Sequence, residues 1–70
     1  MPYQQIRDLP DSVKNHLPAH AQEIFQAAFN HAEKQYRDEE RAFRVAWAAV
    51  KRNYEKGDDD NWHRKSAHHS

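Results

Sequence analysis

The sequence predicts a mainly α fold: a small single domain of one short and two longer helices, with a small two-stranded β pairing of its N- and C-terminal arms. Three observations carry that expectation. Apolar residues recur in steps of three and four along two long stretches, the spacing of one helix face. Prolines at 10 and 18 stand where helices can begin, because the first helical N–H has no partner to lose. Both ends of the chain hold an aromatic anchor, Tyr3 and Trp62, in segments without helical period.

Residues 1 to 7 are polar apart from Tyr3 and Ile6 and are too short for a helix before the turn that follows, so they form a docked arm. Pro10 with Asp11 behind it suits a first helical turn, where a negative charge meets the positive end of the helix dipole. Pro18 ends that helix. It covers residues 10 to 16, about two turns, with Leu9, Val13 and Leu17 as its apolar spacing.

Pro18 also opens the second helix, whose apolar positions run through Ala21, Ile24, Phe25, Ala28, Phe29, Ala32 and Tyr36. Gln22, Glu23, Gln26, Asn30, Glu33, Lys34 and Arg37 fill its outer face. A turn over residues 37 to 40 follows, and Asp38, Glu39 and Glu40 place negative charge at the N-terminus of the third helix. Phe43, Ala46, Trp47, Val50 and Tyr54 form the third helix's apolar stripe, widened by Ala42, Val45 and Ala49. The second and third helices are expected to pack antiparallel. Lys51, Arg52 and Lys56 lie toward the C-terminal end, and Gly57, the only glycine, is expected as a left-handed cap. Asp58 to Asn61 then makes a turn, and an extended segment from Trp62 returns that indole to the core. The domain covers residues 1 to 65, and 66 to 70 form a disordered tail.

A chain of 70 residues buries only about 60% of the surface its unfolded form exposes, so its core has to be economical. Phe25, Phe29, Phe43, Trp47, Val50, Tyr54 and Trp62 are its main structural candidates. The sequence has no cysteine, which removes disulfides, thiolate nucleophiles and cysteine-type zinc sites. No apolar run approaches the roughly 20 residues that span a bilayer, and the first residues do not resemble a signal peptide. A cytoplasmic protein is expected. Eleven basic and eleven acidic residues cancel, and residues 1 to 37 balance as evenly as residues 38 to 70. Net charge therefore gives nucleic acid no support.

Each candidate for chemistry has a plainer alternative. Asp58, Asp59, Asp60 and His63 are weak metal candidates, since hard cations want clustered carboxylates. A calcium loop, however, needs a glycine inside it and a closing glutamate, whereas Gly57 precedes the acids and position 69 is histidine. A solvated acidic turn is the better reading. His16 and His20 have helical metal-pair spacing, but Pro18 lies between them and no glutamate follows the first. His68 and His69 belong to the tail. Ser12, Ser66 and Ser70 lack a glycine elbow, and one glycine cannot make a phosphate loop. No enzyme activity, metal or cofactor is expected.

Arg41, Arg44, Lys51 and Arg52, with Lys56, could form a basic stripe for interaction beside Trp47 and Tyr54, and three short helices can resemble a helix-turn-helix. The competing view is a solvated helix face, because the two aromatics belong to the core stripe.

The chain also carries a set of ordered motifs: Met1-Pro2-Tyr3, Asp8-Leu9-Pro10 with Ser12-Val13-Lys14, Leu17-Pro18 with His20-Ala21-Gln22, Ile24, and Ala28-Phe29-Asn30. Ala46-Trp47-Ala48-Ala49-Val50-Lys51, Tyr54, Lys56-Gly57-Asp58-Asp59-Asp60 and Trp62-His63 continue it. Together these resemble the ChaB family of cation-transport regulators, from Met1 to about Lys65. The departure lies at residues 38 to 41, where some relatives carry a longer charged insertion. The resemblance implies a small, mostly helical cytoplasmic protein acting on a sodium or calcium/proton antiporter, because the family's gene lies beside the transporter's. It carries no catalytic or ligand residues over to this chain. The expectation is thus a monomeric regulatory module that docks on a protein, the membrane antiporter, without inserting into the membrane itself. The alternative is a small nucleic-acid-binding module of helix-turn-helix type.

Overall fold

Proline and aspartate set where the helices begin. A computed structural model describes residues 3–65. Met1, Pro2 and residues 66–70, where the expected disordered tail with Ser66, His68, His69 and Ser70 falls, lie outside the described residues. After one 3-10 turn at Ile6–Asp8, helix α1 spans Asp11–Lys14, α2 Ala19–Tyr36 and α3 Glu39–Lys51. Strands β1, Tyr54–Lys56, and β2, Trp62–Arg64, complete the order. The fold is therefore mainly α, with one short and two longer helices.

Pro10 and Pro18 are the capping residues of α1 and α2, one position outside each helix. Their extended backbone suits that place, since a proline's fixed φ serves both the turn and the helix it leads into. Asp38 caps α3 through its carboxylate, which accepts from the Glu40 N–H at 3.0 Å and the Arg41 N–H at 3.4 Å. Glu39 and Glu40 add negative charge to the first turn, as the sequence suggests. The α2–α3 turn closes on Arg37, which takes a left-handed conformation at φ 56° and donates its N–H to the Glu33 carbonyl. That position favours glycine, and an arginine there carries local strain.

Phe25, Phe29, Ala21 and Ala32 of α2 are buried with Ala42, Ala46 and Val50 of α3 in one cluster, which Leu9, Val13, Leu17 and Tyr54 complete. Both helices present their buried residues at a spacing of about four, and the alanines let the backbones approach. The rings interlock: Phe29 lies 4.9 Å from Phe43, and Phe25 lies 6.0 Å from Phe43 and 5.1 Å from Trp47. Because the later residue of α2 meets the earlier residue of α3, the two helices run antiparallel. Tyr36 and Val45, both expected in the apolar stripe, are 44% and 37% exposed. Each sits at the margin of its helix's buried face, where the stripe turns toward water.

Two expectations about the C-terminal part are corrected. Helix α3 stops at Lys51 rather than near Lys56, tightening through Arg52 N–H to Ala49 O and Asn53 N–H to Val50 O. The chain then turns extended and buries Tyr54 in a strand. Gly57 is not a left-handed cap: the positive φ values belong to Arg37 and Asp60.

The small two-stranded pairing exists, but its strands are the two C-terminal segments, with Tyr54 opposite Arg64, Glu55 opposite His63 and Lys56 opposite Trp62. The N-terminal arm docks on α2 instead. Tyr3 N–H donates to Asn30 Oδ1, its carbonyl accepts from Asn30 Nδ2 and Gln26 Nε2, and its ring lies 4.7 Å from Phe29. Side-chain amides thus satisfy both backbone groups that a strand would have paired, so the arm has no need of a β partner. Burial, and after it the Glu39 carboxylate, raises the Tyr3 phenol above its usual range.

Phe25→Ala is expected to cost about 3–5 kcal/mol, most of a small domain's stability, whereas Val45→Ala should stay within about 0.5 kcal/mol; chemical denaturation measures both. Arg37→Gly is expected to raise stability by about 1 kcal/mol by relieving the left-handed strain. An unchanged or lowered midpoint for that variant would show the turn to be unstrained.

Candidate functional site

The half-buried tryptophans meet at one edge of the core. Trp47 of α3 and Trp62 of β2 lie 5.4 Å apart at 34°, close enough for the offset ring contact that aromatic pairs prefer. The hairpin holds Trp62 there. Its N–H donates to the His16 carbonyl at 2.8 Å, Lys65 N–H donates to Asn53 O at 2.8 Å, and His16 Nδ1 is 3.3 Å from Asn61 Oδ1. Between α1, α3 and the hairpin runs an open groove of about 420 Å³ with the two indoles as its floor and Ser12, His16, Lys51 and Lys56 among its walls. A second open hollow along α3, lined by Phe43, Arg44 and Ala48, shares Trp47 and Lys51 with it.

The predicted basic stripe is divided by its surroundings. Arg41 places its guanidinium 4.9 Å over the Tyr36 ring, a cation–π contact that turns it toward the α2–α3 corner. Lys56 pairs with Asp60 at 3.7 Å. Arg52 follows the last turn of α3 and is exposed. Arg44 and Lys51 therefore stand out: both are exposed, both flank Trp47, and among the described residues neither has an ion-pair partner. Trp47 and Trp62, expected as core, serve the core with one part of each ring and line the groove with the rest. Phe25, Phe29 and Val50 are buried within the core, and Tyr54 is buried at its edge, near the His20 ring.

The acidic turn organises itself around Gly57. Gly57 N–H donates to Asn61 O at 2.8 Å, Asp60 N–H donates to Gly57 O at 3.1 Å, and Asn61 N–H donates to Asp59 Oδ1 at 3.0 Å. His63 Nε2 lies 3.1 and 3.2 Å from the two oxygens of Asp59. A Cβ at Gly57 would stand 2.7 Å from His63 Cδ2, so the absence of a side chain is what lets the imidazole close over the turn. The imidazole contact, and then the Asn61 N–H, hold the Asp59 carboxyl below its usual range. Asp58 is exposed, Asp59 faces His63, and Asp60 faces Lys56. Among the described residues no three histidine or carboxylate side chains converge as a metal site would need.

His16 and His20 turn to different surroundings. His16 faces Asn61, whereas His20 lies 3.9 Å from Glu23 and 6.4 Å from the Tyr54 ring. Ser12 shares the groove with His16, and no hydrogen bond joins the two among the described residues. A nucleophile with its base needs that contact. Sequence reasoning passed over Ser12, His16 and Trp62 as groove residues. The available signal was an indole in an otherwise charged, non-helical segment, where a ring can cover only part of itself.

The family model for ChaB matches residues 9–65. A protein of Escherichia coli K12 named "Putative cation transport regulator ChaB" is 55% identical, covering 94% of this chain and 100% of its own length. A protein of the same name from Shigella flexneri matches to the same extent. The aligned span of 76 residues exceeds the 70 of this chain, so these relatives carry residues that it lacks. Among solved structures, an NMR solution structure of ChaB superposes with a TM-score of 0.84 at 55% identity, covering 93% of this chain and 100% of that one.

The His63 contact predicts a titration. A carboxyl whose folded pKa is depressed contributes stability above its ordinary pKa, and loses it as pH falls through the depressed value. NMR titration should therefore place the Asp59 midpoint below 3.8, with His63→Ala moving it upward and Gly57→Ala moving it the same way by displacing the ring. Identical Asp59 midpoints in the parent and both variants would show that the imidazole does not hold the carboxylate.

Proposed function

The chain belongs to the ChaB family, and from that premise we propose that it is a non-enzymatic regulatory protein that docks on a cytoplasmic segment of a sodium or calcium/proton antiporter. The observation that carries this reading is the 55% identity along the full length of relatives named for regulating cation transport.

The chemistry of the chain is compatible with docking. Among the described residues no helix is long and apolar enough to cross a membrane, so the contact is assigned to a water-facing part of the transporter. The exposed faces mix both signs and the formal net charge is zero, which suits a local, complementary contact better than a long-range field. A nucleic-acid module would need several cations along a phosphate backbone. Arg41 and Lys56, two of the candidates for that stripe, are engaged by Tyr36 and Asp60.

The protein, immobilised and exposed to detergent-solubilised membranes with and without nuclease, is expected to retain a cation antiporter in both conditions. It should also change the exchange rate of that transporter in vesicles when added on the cytoplasmic side. Nuclease-sensitive recovery of nucleic acid, with no transporter retained, would replace this reading with the nucleic-acid one.

A further inference from the structure

The groove has a floor and a rim that together specify an occupant. Its floor is the Trp47 and Trp62 pair. Along α3 an adjoining hollow that shares Trp47 and Lys51 with it reaches Arg44; Arg44 and Lys51 are exposed and without an ion-pair partner among the described residues, with Ala48 between them. Arg44 and Lys51 are seven residues apart on one helix, which sets the charges roughly 10 Å apart along the axis and on the same side. Trp47 sits between them in sequence, three residues after the first and four before the second.

We propose that this groove binds an acidic amphipathic helix of a partner protein, two of its carboxylates meeting Arg44 and Lys51 and an apolar side chain between them resting on the tryptophans. The inference rests on the docking role proposed above and assigns its surface. A helix repeats the same spacing, so acidic residues seven apart with an apolar residue three or four after the first match charge to charge and ring to ring. Charge complementarity selects this occupant. Two cations seven residues apart suit two carboxylates, whereas a phosphate backbone needs a longer run of cations, which Lys56, paired with Asp60, does not extend. Indoles that are partly covered offer a rigid apolar surface that loses little freedom on binding, the usual character of an anchoring site.

The only tryptophans of the chain are these two, so their signals report on the groove alone. The full chain is titrated with a synthetic amphipathic peptide of about 14 residues carrying glutamates seven apart and a leucine between them, spaced as above. Saturable binding that moves both indole N–H resonances is expected. Arg44→Glu with Lys51→Glu, and separately Ala48→Glu, should each weaken it by about tenfold or more and leave the chain folded, with at most the small loss of midpoint that a glutamate in the last turn of α3 brings, since all three positions are exposed.

No saturable binding, equal binding of the peptide with lysines in place of glutamates, or shifts confined to α2 would overturn the proposal. So would tighter binding of a single-stranded oligonucleotide on the same indoles. The same variants taken into the transporter capture separate the two claims. Capture that survives Arg44→Glu with Lys51→Glu leaves the regulatory role standing and removes this surface. Peptide binding to the groove without capture of a transporter supports the surface and removes the role.

Discussion

The structure depends on the seam between α2 and α3. Two phenylalanines of α2 reach across to Phe43 and Trp47, while alanines at 21, 32, 42 and 46 keep the backbones near enough for those rings to interlock. Burial of large aromatics is the strongest apolar contribution available to a chain this short. Everything else attaches to that seam. The N-terminal arm lays Tyr3 on Phe29, α1 adds Val13 with Leu9 and Leu17 on either side of it, and β1 adds Tyr54.

Secondary attachments rely on hydrogen bonds to backbone groups that would otherwise be buried without partners. Gln22 reaches back from α2 to the carbonyls of Leu17 and Lys14, tying the end of α1 to the start of α2. Asn30 and Gln26 do the same for Tyr3, and the His16 carbonyl does it for Trp62. The last of these connects structure to function, because it fixes the hairpin beside α3 and so creates the groove. Trp47 alone would be an incompletely covered core residue; with Trp62 beside it, the same ring becomes part of a surface.

Much of the candidate site could be read from residue types, but not its shape. Arg44 and Lys51 are plainly surface residues, at the border of the helix's apolar stripe on either side of Trp47. That Arg41 leaves the stripe for Tyr36, and that Lys56 leaves it for Asp60, follows from the α2–α3 corner and the hairpin turn. Gly57 shows how one residue can carry two meanings. After a basic helix end it reads as a left-handed cap, yet here its small size admits the His63 ring over a tight acidic turn. Nothing local distinguishes the two, because the deciding neighbour comes six residues later in a strand.

By itself, the sequence determined the helices, their order and their starts: prolines at 10 and 18 and the carboxylate of Asp38 act within one turn, and apolar spacing marks the buried faces of α2 and α3. It also carried the family, through motifs spread along the chain. The tertiary structure decided where α3 ends, which segments pair as strands and which aromatics keep a face in solvent. Those outcomes depend on competition between distant partners. Tyr54 is buried as readily from a strand as from a helix, Tyr3 finds side-chain amides before it finds a strand, and Trp62 stops where the His16 carbonyl holds its backbone, leaving its ring against Trp47.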